Sequence, residues 1–174
     1  MKDDAFKIVA SVGLLLGGAT GIAGTFAPTA AMRGLLWGID GTSLVIAAVL
    51  LSLIFLRSGH EQVAGGFLVF AFGQCLVLAS AGMTLEAGAP IFGAGAALWA
   101  AGLALVSLSA SLPVVARLIG LAAALLLAVP AVGILSGEPV NALSKPLPFG
   151  AYPVLVATML AWIWTLWKRP PALA

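Results

Sequence analysis

Apolar runs about as long as a membrane is thick, broken by short polar or proline-marked stretches, follow one another along the chain. The first extends from Phe6 to Ala27 and stops at Pro28. The second covers Gly34 to Leu56, and a polar turn from Arg57 to Gln62 leads into the third, Val63 to Met83. Beyond Glu86 and Pro90 come Ile91 to Leu112 and then, after Pro113, Val114 to Leu135. A Gly/Pro-punctuated stretch, Ser136 to Pro148, precedes the last run, Phe149 to Trp167. A spanning helix needs about 20 predominantly apolar residues. The pattern therefore predicts an all-α, single-domain bundle over residues 1–174 with six transmembrane helices. An interruption in the second or fifth run would reduce the count to four or five.

Composition strengthens this picture. Hydrophobic residues make up 62% of the 174 positions and charged residues 8%, with a mean hydropathy of +1.17. A water-soluble domain usually carries about 25% charged residues, so lipid is the expected surrounding. The opening MKDDAFK balances two acids against two lysines, and the apolar run behind it exceeds a signal-peptide core, so a retained helix is expected. Net charge is only +2. The basic residues form no stripe that could follow phosphates, which argues against nucleic acid as a partner.

Those basic residues read instead as topology signals. With the N-terminus inside, Lys2, Lys7, Arg57, Arg117, Lys168 and Arg169 lie on the inner side, against Arg33 and Lys145 outside. Both termini are then expected in the cytoplasm. Trp162, Trp164 and Trp167 fit an interfacial aromatic belt beside Lys168. Glycine recurs at Gly13, Gly17 and Gly21 in the first run, and at Gly34 and Gly38 in the second. Small residues four apart let helix backbones approach closely. Packing within the chain is the simpler reading, and a homo-oligomer seam the alternative. Gly13, Gly66 and Gly120 also fall at near-equal spacing, though the side chains around them do not match well enough to establish a repeat.

Candidate chemistry centres on Asp40, in Trp37-Gly38-Ile39-Asp40-Gly41-Thr42-Ser43. If its helix starts near Gly34, it lies about 9 Å below the outer surface. A carboxylate at a helix centre costs about 2.5–3.5 kcal/mol on insertion scales, and such residues often mark an ion or proton path. Two structural readings compete: Asp40 as the N-cap of a helix beginning there, or as a partner of Arg33 on the same face. Gln74 falls at a similar depth in the third run, so Asp40 and Gln74 could meet, with Thr42 and Ser43 completing a polar cluster. Ser107, Ser109 and Ser111 alternate and so spread over different helix faces. Pro130 is expected to kink the fifth helix, and Pro153 to sit near the start of the sixth.

Other chemistry is poorly provided for. The one histidine, His60, lies in a turn, which leaves no bis-histidine haem site and no Ser-His-Asp set. Cys75 is the only cysteine. No metal site, cofactor or enzymatic activity is expected. The expected function is a transporter, channel or carrier-like protein with its polar site at Asp40, Gln74, Thr42 and Ser43. The alternative is an accessory protein or a lipid-, quinone- or partner-binding scaffold. A carrier needs a water-accessible cavity reaching Asp40, whereas a scaffold needs only a dry core.

Three blocks carry a resemblance: Trp37 to Gly41, Gly66 to Ala71 with Gly73, and Leu147 to Pro153. Together they resemble a family of small bacterial polytopic integral membrane proteins. The resemblance implies a bacterial inner-membrane location and supplies no activity. It also implies an acidic residue at the Gln74 position, and the glutamine here argues against a relay of two carboxylates.

Overall fold

The computed structural model describes residues 2–138, 142–144, 147 and 149–168. Lys145, Pro148 and Arg169, invoked above, lie outside them, as does the side chain of Lys2. Six helices follow in chain order: α1 (Lys2–Thr25), α2 (Ala30–Arg57), α3 (Glu61–Ser80), α4 (Leu85–Leu108), α5 (Val114–Leu135) and α6 (Ala151–Lys168). Among the described residues there is no strand. Five helices, α1 to α5, are long and apolar enough to cross a membrane. The chain is therefore a helical membrane bundle. At 18 residues, α6 is about 27 Å long, and its tryptophans and Lys168 lower its hydropathy below that of the other five.

Helix ends explain most departures from the boundaries read off the sequence. Thr29 caps α2 by accepting a hydrogen bond from the Met32 amide, so the helix begins four residues before Gly34. Thr84 caps α4 through Ala87 N, which moves its start to Leu85 and places Pro90 inside the helix. Pro90 is the sixth residue of the helix, beyond the first turn, and having no N–H it leaves Glu86 O without its usual intrahelical partner. At the end of α2, Gly59 takes φ 74°. It donates to Leu56 O at 3.1 Å, and His60 donates to Phe55 O at 2.9 Å. That pair of bonds is a Schellman closure, which favours a glycine in the left-handed region. Gly137, with φ 93°, closes α5 in the same way.

Each helix packs on its neighbours in the chain, and α1 packs on α6, so the six close into a ring. Short connections make α1 to α5 successively antiparallel, and α6 runs against α1, since Phe149 meets Phe26 and Trp167 meets Ser11. The α1–α2 and α3–α4 connections and the described residues between α5 and α6 lie at one end of the ring, here the loop end; the start of α1 and the end of α6 lie at the other, here the terminal end. The α3–α4 seam is the tightest backbone approach. A Cβ on Gly102 would stand 2.7 Å from Gly66 O, and one on Gly95 would stand 2.9 Å from Gly73 O. The terminal half of the interior is filled by Phe67, Phe70, Leu14, Leu51, Leu103 and Leu166, all buried. Trp162 belongs to this core. Only Trp164 and Trp167 remain exposed, which narrows the expected aromatic belt to two residues. Trp162 faces the ring interior and meets Phe67 edge-on, 4.8 Å away between centroids.

Candidate functional site

The face of α2 formed by Trp37, Asp40 and Leu44 follows the i, i+3, i+7 spacing of one helical stripe. It lies against glycines of α1. A Cβ on Gly24 would come within 2.5 Å of Trp37 Cδ1, and one on Gly17 within 2.5 Å of Leu44 Cδ2. Between them, a Cβ on Gly21 would lie 3.1 Å from both Asp40 Cγ and Oδ1. The glycine stripe of α1 is thus the packing surface expected from its spacing, with a carboxyl group in its middle. Trp37 Nε1 donates to Gly21 O at 3.3 Å and fixes the register of the two helices.

Asp40 is neither a cap nor one half of an ion pair with Arg33. Since α2 begins at Ala30, Asp40 sits in the third turn, about 15 Å along the helix. Arg33 Nη2 donates to Ala27 O at 3.3 Å, and its guanidinium lies 6.0 Å from the Trp37 ring centroid. The carboxyl is met from α3, where the buried Gln74 donates a side-chain hydrogen bond to it. From α6, Tyr152 lies within electrostatic reach of the same carboxyl, with its hydroxyl donating to Ala142 O at 3.1 Å.

These residues line one cavity of about 340 Å³. Its mouth is at the loop end, where Met83 and Thr84 are exposed, and its depth is marked by buried Gln74, Leu44, Leu155 and Met159. Most of the wall is apolar. Two buried polar atoms of the lining have no hydrogen-bond partner, Gln74 Oε1 and Trp99 Nε1, and a third, Arg33 Nε, belongs to a residue at the mouth. Buried polar atoms are usually paired, so two of them on the walls of one cavity leave hydrogen-bonding capacity there for an occupant.

Below Trp99 the ring interior closes. The Trp99 and Phe70 rings stack 6.0 Å apart, Phe70 meets Trp162 edge-on at 6.0 Å, and Trp162 meets Phe67 at 4.8 Å. Phe67 in turn stacks on Phe55 at 5.7 Å. An aromatic column therefore runs from the cavity floor toward the terminal end.

Of the four residues singled out from the sequence, Asp40 and Gln74 meet in the cavity, whereas Thr42 and Ser43 do not join them. Thr42 lies about 200° around the helix from Asp40, and its hydroxyl returns to Gly38 O at 2.9 Å. Thr42 and Ser43 border a separate shallow groove with Gly34 and Gly38. Three cavity residues were not anticipated. Trp37 carried a signal, being three positions before Asp40. Tyr152 falls within the Leu147 to Pro153 block, which gives it no role of its own, and Trp99 had no local signal because its role depends on how α4 is turned in the ring.

Compared with protein-family models, curated proteins and solved structures, the chain matches none.

Proposed function

We propose that this protein is a carrier-like membrane protein that takes a small molecule into the ring through the loop end and holds it at Asp40. The observation that carries this reading is the cavity of about 340 Å³ reaching from exposed Thr84 to Asp40 and Gln74. Its size falls at the lower end of the roughly 300–1,000 Å³ usual for small-molecule sites, and a mostly apolar wall with a few convergent polar groups is also usual for them. A scaffold with a dry core would have no need of such an opening. On the lysine and arginine count and the family resemblance, the membrane is a bacterial inner membrane, both termini are cytoplasmic, and the mouth opens outward.

Thiol accessibility tests the reading. In a Cys75→Ala background, single cysteines replace Val77 or Leu155 on the wall, and Leu103 in the closed half as a control. A membrane-impermeant maleimide is applied to each face of the membrane separately. A carrier exposes Val77→Cys and Leu155→Cys to the reagent from both faces, and Leu103→Cys reacts far more slowly. Reaction from the loop face alone would show a one-sided binding protein and end the carrier reading. No reaction from either face would mean a dry core and return the protein to the scaffold class.

A further inference from the structure

We infer that the cavity recognises the ammonium end of a small, otherwise apolar amine. This rests on the cavity being a ligand site, as proposed above, and adds the chemistry of its occupant. The decisive feature is how the polar groups on its wall spend their hydrogen atoms. Trp37 gives its N–H to Gly21 O, so only its ring face remains. Tyr152 gives its hydroxyl hydrogen to Ala142 O, so its oxygen remains as an acceptor. Gln74 turns its amide toward Asp40 and keeps Oε1 buried and unpartnered. Three side chains, Asp40, Gln74 and Tyr152, thus present acceptors, and Asp40 is the only acidic residue of the described lining. Against them stand two deep neutral donors, Trp99 Nε1 and the second N–H of the Gln74 amide.

A donor-rich cation satisfies this set. An ammonium group offers N–H bonds to the carboxylate and to Gln74 Oε1, and charge-assisted bonds of this kind are the stronger ones. Trp37, Trp99 and Tyr152 place aromatic rings in the lining, and ring quadrupoles attract a cation. Leu44, Val77, Leu155 and Met159 supply an apolar wall for its body. A carboxylate ligand would meet Asp40 as a like charge, and a carbonyl compound such as a quinone would find only the neutral N–H groups of Trp99 and Gln74 as deep donors. Arg33 leaves Asp40 free for a ligand, because it stands about two turns nearer the mouth, with Nη2 on Ala27 O, its guanidinium by the Trp37 ring and its unpaired Nε at the mouth.

The test uses the full chain in phosphatidylcholine nanodiscs, with the fluorescence of cavity-lining Trp37 and Trp99 followed during titration. Three probes of similar shape are compared at neutral pH: 2-phenylethylamine, 2-phenylethanol and phenylacetate. The amine is expected to saturate at least about tenfold more tightly than the alcohol, as bonds to charged groups allow, and phenylacetate not to saturate. Asp40→Asn should reduce amine affinity to that of the alcohol. Should that variant fail to fold, Gln74→Leu should narrow the gap, and the comparison within the unaltered protein needs no variant. Alcohol or phenylacetate binding as tightly as the amine would overturn the inference. So would an amine preference that survives Asp40→Asn, or no saturation by any probe. The thiol reactivity of Val77→Cys and Leu155→Cys is measured without a ligand, so the ammonium assignment and the cavity reading fail separately.

Discussion

Asp40 draws on three other helices: Gly21 of α1 makes room for it, Gln74 of α3 donates to it, and Tyr152 of α6 stands within its field. Gly21→Ala would place a methyl 3.1 Å from the carboxyl carbon, closer than ordinary contact, so the carboxyl must shift or the helices part. Gly34 and Gly38 face open space. Alanine there removes the conformational freedom of glycine without a clash and should stabilise the protein by about 0.5–1 kcal/mol each. Thermal unfolding in detergent checks the contrast: Gly21→Ala lowers the midpoint, while Gly34→Ala and Gly38→Ala hold or raise it. Gln74→Leu removes one interhelical hydrogen bond and should cost about 0.6–2 kcal/mol by the same measurement. At this scale the sequence was informative where depth alone decided the outcome. Counting residues from the loop end put Asp40 and Gln74 at one level, and they meet. It was uninformative where rotation decided: Thr42, two positions on, points to the shallow groove.

Helices were the most readable level, because a run of apolar residues long enough to cross lipid leaves the backbone little choice but to bond within itself. Val114–Leu135 matches its expected bounds, while α2 and α4 start earlier because Thr29 and Thr84 supply caps that a hydropathy pattern ignores. The glycines had a consequence at this scale that spacing only half revealed. Gly13 packs on Ser43 O and Ala47 as its spacing suggested, but the closest seam is α3–α4, where Gly66 and Gly73 meet Gly102 and Gly95. Gly102→Ala would put a methyl 2.7 Å from Gly66 O and Phe70 N. Those are backbone atoms, so no side-chain rotation relieves the contact. Overpacking of this kind costs about 1–3 kcal/mol. Thermal unfolding should show the loss for Gly102→Ala and none for Gly65→Ala, which faces open space.

The closed ring of six helices was not readable from any one segment, since it depends on α6 returning to α1. That return brings Tyr152 to the cavity and Trp162 to the aromatic column. The column leaves the interior with an open upper half and a sealed lower half. In electrical terms the protein in this state is an insulator: a mouth and a chamber in series with a hydrocarbon-like resistor from Trp99 through Phe55. Planar-bilayer recordings should therefore show no steady current above the leak of the lipid alone, and a sustained ohmic current would contradict the sealed column. A cell could then hold many copies of this protein in its membrane without discharging the voltage across it.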